Sequence, residues 1–251
     1  MQQRSEEWYR IRAGKITGSR FSRAMADRSS DTYAALISEL VAERRAGRSK
    51  DGGYVNEAMQ WGIKHEPAAR NWYVRQHGHH VSEVGFVVHP AYGFVGVSPD
   101  GFVGDVGLIE IKCPQPKGFK QVMSTREMPS RYRWQVQGQL WVCQRHWLDF
   151  VCFYPPAQGI AIRVDVDEDD FERLESRCIE VNREVERRIG IGGKSQTKAV
   201  SHSTPRKPAA PALPARWIES GDEPARPGKL PGIPGWVWIA VVIAAIIWLS
   251  R

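Results

Sequence analysis

Two acidic residues and one lysine stand close together in a short stretch of the chain, VSPDGFVGDVGLIEIKC at Val97–Cys113. Asp100 follows a proline, and Glu110 and Lys112 are two residues apart in a run of Leu and Ile. Because side chains alternate between the two faces of a strand, Glu110 and Lys112 share one face, with Cα atoms about 6–7 Å apart. The GDVG turn at 104–107 is a hairpin signal that returns the strand towards Asp100. The stretch therefore predicts that these three side chains converge.

Two carboxylates beside a lysine are suited to binding a hard divalent cation. Mg²⁺ takes one or two carboxylates, several waters and the phosphate oxygens of a substrate. Such a site can activate water against a phosphate, with a lysine that orients the water or neutralises charge. The main-chain carbonyl of Ile111 faces the same edge and is a further candidate ligand. The stretch alone leaves a second interpretation open, a half-exposed strand with a Glu–Lys pair.

Another carboxylate, Glu66, falls on a predicted helix at about 56–76 that ends at Gly78. It shares a helical stripe with Met59, Gly62, Ile63 and Tyr73. A carboxylate on such a stripe is costly to bury without a partner, and a metal ion is one such partner. A partly exposed acid remains the alternative, and Pro67 can kink or restart the helix.

The surrounding periodicity indicates an α/β (α+β) domain with a central mixed sheet flanked by helices. Helices are predicted at Thr32–Ala46 with Asp31 as the cap, at the 56–76 segment, and at about 130–144 and 169–188. Strands are predicted at 81–88, 94–98, 108–113, 148–154 and 160–166.

Two smaller groups of polar residues have both a functional and a structural interpretation. Thr17, Gly18 and Ser19 can cap a helix that begins near Arg20, and a helix N-terminus near Arg12 would suit a phosphate. A simple cap beside a surface arginine is the alternative. Tyr132, Gln135 and Gln139 share one helical face, which is either a site or the solvent side.

Four segments of the sequence together resemble a known family. They are WYRIRAGKITGSRF (8–21), WGIKHEPAAR (61–70), SPDGFVGDVGLIEIKCP (98–114) and YRWQVQGQLWV (132–142). Their order and spacing are similar to those of the YqaJ-type viral recombinases, which include the lambda-type exonuclease and belong to the PD-(D/E)xK nucleases. The resemblance covers roughly residues 5–190.

The resemblance implies a Mg²⁺-dependent 5′→3′ exonuclease, with Mn²⁺ as a substitute ion, that digests one strand of linear duplex DNA. It also implies a single-strand annealing protein as a partner and a ring trimer as the assembly. Carried over by motif, the metal ligands are Asp100, Glu110, Glu66 and the Ile111 carbonyl. Lys112 serves the attacking water and Gln135 faces the site, while Arg12, Ser19 and Ser98 hold the DNA phosphate. The chain departs from some relatives at 89–92, where an extra carboxylate is missing, so a second metal would be held differently.

Composition separates a globular part from a basic tail. The 251 residues carry a net charge of +7, but 194–233 hold +4 of it and Arg251 one more, so 1–193 keep only +2. DNA binding must therefore be inferred from a site, since net charge describes mainly the tail. The four scattered cysteines form no CxxC pair and favour a cytosolic protein with core thiols.

The part of the chain after residue 193 is expected to contain a linker and a membrane anchor. Seven prolines lie between Pro205 and Pro231, which predicts a disordered linker at 194–232 after a nuclease domain at 1–193. The uncharged run at 233–250 has tryptophans near both ends and is about long enough to span a bilayer. We expect a single C-terminal transmembrane helix that anchors a cytoplasmic nuclease domain to the inner membrane. A buried core helix is the alternative.

The sequence is compatible with three functions. The first is a phage-type recombination exonuclease. The second is an end- or structure-specific endonuclease for repair or defence, which would also cut closed circular DNA. The third is a non-catalytic, membrane-tethered DNA-binding protein.

Overall fold

The computed structural model describes residues 3–49 and 56–190, which lie within one of the two units of the chain, Met1–Gln196. The helices are α1 Glu6–Arg12, α2 Phe21–Ala24, α3 Asp31–Ala46, α4 Glu57–His77, α5 Pro116–Thr125, α6 Arg133–Cys143 and α7 Glu168–Ile189. The strands are β1 Ile16–Thr17, β2 Val81–Ser82, β3 Val87–Val88, β4 Val95–Val97, β5 Gly101–Val103, β6 Gly107–Lys112, β7 Trp147–Tyr154 and β8 Gln158–Asp165.

The strands form two mixed sheets, whereas one central sheet was expected. The larger sheet has the order β2-β5-β6-β7-β8, in which only β6 and β7 are parallel, and the smaller has the order β1-β4-β3. The single strand predicted at 81–88 is in fact β2, which pairs with β5, and β3, which pairs with β4. Gly85 lies in the break, where a residue without a side chain weakens a continuous strand.

Both faces of β6 are covered by helices. On one face Ile109 and Ile111 pack with Tyr73 and other residues of α4. On the other face Leu108 packs with α5 and α6 through a group that includes Val136 and Leu140. A third cluster packs α3 and α7 against the smaller sheet. Glu110 shares the face of Leu108, so the strand directs this carboxylate towards α6.

The helix ends follow from local capping. Ser30 Oγ accepts a hydrogen bond from the Tyr33 amide at 3.2 Å, so Ser30 is the N-cap of α3. Asp31, which was predicted as the cap, is instead the first helical residue. The helix ends at Gly47, which has a φ of 64° that glycine adopts without steric cost. The helix α4 ends in the same way at Gly78 and continues through Pro67, where a kink had been considered.

The segment after β1 differs from its prediction. A 3₁₀ turn at Gly18–Arg20 leads into the short helix α2, which begins at Phe21, and Thr17 makes no side-chain cap. The helices α1 and α5 were not predicted.

No helix within 3–49 or 56–190 is long and apolar enough to span a membrane. The predicted linker at 194–232 and the predicted anchor at 233–250 lie outside the described residues.

Candidate active site

The β5–β6 hairpin brings Asp100 and Glu110 to the same cleft. Gly101 pairs with Ile109 in antiparallel register, which places Asp100 across from Glu110 one step further along. The Ile111 amide donates a hydrogen bond of 2.7 Å to Asp100 Oδ2. Both carboxylates line the cleft together with Lys112. The predicted convergence of these three residues is therefore present in the fold.

Glu110 is almost completely buried, and its two oxygens have three donors. Oε1 accepts hydrogen bonds of 2.5 Å from Lys112 Nζ and from Gln135 Nε2. Oε2 accepts one of 2.6 Å from Gln139 Nε2. The Glu–Lys pair of the alternative interpretation is present, but the half-exposed strand is wrong for Glu110, because only 2% of this residue is exposed.

Burial and like charge both act on Asp100. Burial raises the pKa of the Asp100 carboxyl well above its usual range, and the nearby Glu110 and Glu66 raise it further. Lys112 and the Ile111 amide oppose this shift. Burial on its own would lower the pKa of Lys112, but Glu110 and Asp100 raise it overall, so this lysine is charged at neutral pH.

This arrangement fits a hard cation. Two carboxylates that repel each other in a buried cleft would be relieved by a divalent ion, and carboxylate oxygen is the ligand type that Mg²⁺ prefers. Within the described ranges, no three His, Cys, Asp or Glu side chains are grouped so that they could hold an ion by themselves. Mg²⁺ usually keeps several waters and takes substrate oxygens besides one or two carboxylates.

Glu66 lines the same cleft, but its oxygens are bound by arginines. Oε1 accepts a hydrogen bond of 2.8 Å from Arg70, and Oε2 lies 3.4 Å from an Arg4 nitrogen. Arg70 also reaches the main-chain oxygen of Asp100 at 3.3 Å. A metal-ligand role for Glu66 stays a prediction, and it would require one arginine to give way.

The three predicted phosphate residues also lie along the cleft. Arg12, Ser19 and Ser98 all contribute to its lining. The Arg12 guanidinium lies 3.9 Å from the centre of the Trp8 ring, and Trp8 Nε1 donates a hydrogen bond of 2.8 Å to Ser98 Oγ. Trp8 thus connects two of the three residues.

Two residues of the site, Trp8 and Arg70, were missed as functional candidates, and Gln139 was named only as a member of the helical face that it shares with Tyr132 and Gln135. For Arg70 and Gln139 a local signal existed. Arg70 is one helical turn after Glu66, and Gln139 is one turn after Gln135, which places each beside a predicted site residue. The Trp8 contact joins segments 90 residues apart, and no local pattern predicts it.

The chain is similar to a known protein family and to solved nuclease structures. The family model described as "YqaJ-like viral recombinase domain" matches residues 7–146. The crystal structure of an alkaline exonuclease (LHK-Exo) from Laribacter hongkongensis is 34% identical, with a TM-score of 0.69 over 74% of this chain and 95% of that one. The same enzyme in complex with dAMP has a TM-score of 0.70, with the same identity and coverage.

A phage-related exonuclease from Haemophilus somnus 129PT, 14% identical over 70% of this chain and 96% of that one, has a TM-score of 0.57 and shares the fold. The search of curated proteins found no match. The extent of the family match and the identity to the Laribacter hongkongensis structure show that this chain belongs to the YqaJ-like viral recombinase domain family.

Proposed function

We propose that this chain, a deoxyribonuclease by family, is a Mg²⁺-dependent exonuclease that digests linear duplex DNA in the 5′→3′ direction for phage-type recombination. The observation that carries the proposal is the buried Glu110, held against Lys112 and α6 beside Asp100 in one open cleft. A structural ion pair has no need of a second carboxylate beside it in the cleft, whereas a metal-binding hydrolase site uses one, and a perturbed pKa such as that of Asp100 is typical of functional sites.

Each residue of the cleft has a defined task in this chemistry. Asp100 and Glu110 would hold a divalent ion, which would supply water activation and compensation of the charge on the phosphate being cleaved. The Lys112 ammonium donates to Glu110 and can orient the attacking water or neutralise the developing charge. The Gln135 amide donates a second hydrogen bond to the same Glu110 oxygen. Arg12 and Ser19 line the cleft where a scissile or terminal phosphate would bind.

The likeness to LHK-Exo supports the activity. That protein is described as an alkaline exonuclease and has been crystallised with dAMP. A deoxynucleoside monophosphate is what hydrolysis of DNA from an end would release. The direction of digestion and the use of Mg²⁺ rest on the family resemblance and on the chemistry of the carboxylate pair.

Linear and closed circular duplex DNA distinguish the exonuclease from an endonuclease. The full-length protein with Mg²⁺ is incubated with a plasmid in closed form and with the same plasmid cut once and labelled at its 5′ ends. We expect early release of the 5′ label from linear DNA and an intact circle. Nicking of the circle would favour a structure-specific endonuclease. Late release of the 5′ label, after most other nucleotides have been released, would contradict the 5′→3′ direction.

We also propose that the domain is cytoplasmic and tethered to the inner membrane through 233–250. The basis is the uncharged run with its terminal tryptophans and preceding basic residues. Full-length protein should sediment with membranes while a chain ending at 232 stays in the supernatant. Equal fractionation of the two would refute the tether. A ring of three subunits and a single-strand annealing protein as partner are proposed from the family resemblance.

A further inference from the structure

Gln139 has an unusual environment for a neutral side chain. It lies on α6 one turn after Gln135, lines the cleft, and is only 1% exposed. Its Nε2 donates to Glu110 Oε2 at 2.6 Å, so Gln139 alone occupies the carboxylate oxygen that Lys112 and Gln135 leave open.

The carboxylate fixes which way the Gln139 amide points. An ionised carboxylate only accepts hydrogen bonds, so the amide must present its NH₂ group to Glu110 and turn its oxygen away. That oxygen is buried, and within the described parts of the chain no donor reaches it. Buried carbonyl oxygens in native proteins almost always have a partner, and in a water-accessible cleft that partner is water.

We propose that Gln139 is a positioning residue of the nuclease site. Through Nε2 it fixes the Glu110 carboxylate in the orientation that a divalent cation requires, and through Oε1 it accepts a hydrogen bond from a water molecule in the cleft. This inference rests on the proposed metal-dependent function of the same site. It assigns to Gln139 the role of a residue that orients a metal ligand, a role whose loss typically weakens metal binding.

The helix that carries Gln139 packs closely against its neighbour. Gly138 faces the ring of the buried Phe21, and a Cβ atom there would lie 2.2 Å from a ring carbon. The backbone of α6 therefore lies against Phe21 of α2 with no room for a side chain between them. Gln139 thus reaches Glu110 from a closely packed helix, as a positioning role requires.

The same helix offers a matched control in Gln137, which is 5% exposed. Its Nε2 donates to the main-chain oxygen of Asp165 at 2.9 Å, and its Oε1 accepts from the Asp167 amide at 3.1 Å. Gln137 thus has a similar burial and one more hydrogen bond than Gln139, but both of its bonds go to the main chain of residues 165–167 and neither goes to Glu110.

The test measures Mg²⁺ binding by titration calorimetry of the full-length wild type, Gln139→Met and Gln137→Met, with urea unfolding of each. We expect Gln139→Met to bind Mg²⁺ roughly tenfold more weakly. Gln137→Met should bind like the wild type although it unfolds at lower urea. In nuclease assays, Gln139→Met should need more Mg²⁺ for half-maximal rate, recover at saturating Mg²⁺, and keep its KM for DNA.

Two results would overturn the inference: unchanged Mg²⁺ affinity in a folded Gln139→Met protein, or equal weakening in Gln137→Met. If Gln139→Met does not fold, Gln139→Asn replaces it, since the shorter amide also loses the hydrogen bond to Glu110. Failure of the underlying function looks different, because the wild type itself would then bind no Mg²⁺ or Asp100→Ala would bind it equally well.

Discussion

The main-chain amide of Ile111 donates to the side chain of Asp100 across the β5–β6 hairpin, at 2.7 Å. This bond ties the turn that carries one carboxylate to the strand that carries the other. It holds Asp100 near Glu110 although burial and like charge both oppose an ionised carboxylate there. The fold thus places the acidic pair before any cation binds, at a cost in stability of the metal-free protein.

Replacing Asp100 by Asn should therefore stabilise the metal-free protein. The Asn oxygen can still accept from Ile111, while the cost of a partly buried negative charge and its repulsion from Glu110 are removed. In EDTA we expect a rise in Tm of about 2 °C or more, which corresponds to roughly 1 kcal/mol for a protein of this size. Thermal melts with and without Mg²⁺ provide the measurement, and Mg²⁺ should raise the Tm of the wild type only. A lower Tm for Asp100→Asn in EDTA would contradict this view of the site.

Replacing two glycines in helix interiors by alanine should change the stability of the protein in opposite directions. At Gly138 the new Cβ would overlap the fully buried Phe21 ring, so Gly138→Ala should destabilise by about 1–3 kcal/mol. At Gly62 a Cβ atom would have no side chain or other described element within 4 Å beyond the helix's own nearby backbone, so Gly62→Ala should gain up to about 1 kcal/mol from helix propensity. Urea unfolding of both variants tests the pair. Equal stability of the two would show that α6 is not held against Phe21.

His89 should make the fold sensitive to acid. It is 8% exposed, and its Nδ1 accepts hydrogen bonds from the amides of Ala91 and Tyr92 at 3.1 and 3.2 Å, so protonation at Nδ1 would break both. Burial lowers the pKa of His89 to about 4, although Glu175 opposes this shift. As the pH falls, the unfolded chain therefore binds a proton at this histidine before the folded chain does. The contribution of neutral His89 to the free energy of unfolding is complete above about pH 6.5 and is lost as the pH falls towards 4.

The variant His89→Asn isolates this effect, since its Oδ1 can accept the same two bonds without titrating. The stability advantage of the wild type at pH 7 should shrink by at most about 1.4 kcal/mol per pH unit between pH 6.5 and 4. Urea unfolding at pH 7, 6 and 5 measures the difference. The exposed His80, replaced in the same way, serves as the control and should leave the slope unchanged. A pH-independent difference for His89→Asn would rule out this role.

The sequence was most informative where the pattern is local. Alternation along β6 and the GDVG turn predicted that Asp100, Glu110 and Lys112 meet, and Gly47 and Gly78 predicted two helix ends that the structure contains. It was least informative about long-range partners. The binding of Glu66 by Arg4 and the contact of Trp8 with Ser98 depend on how distant segments pack, which no periodicity encodes. Short strands were also difficult, because two residues such as Val87–Val88 carry no alternation to detect.

The central claim is metal-dependent hydrolysis at the Asp100–Glu110 pair, and nucleotide release from 5′-phosphorylated linear duplex DNA tests it most directly. Full-length wild type, Asp100→Asn, Glu110→Gln and, as a control in the exposed hairpin turn, Asp105→Asn are compared with Mg²⁺ and with EDTA. We predict release by the wild type and Asp105→Asn in Mg²⁺ only, and a loss of at least about 100-fold in the other two variants, because a metal ligand contributes several kcal/mol to the transition state. Release that persists in EDTA, or that is undiminished in Asp100→Asn, would contradict the account.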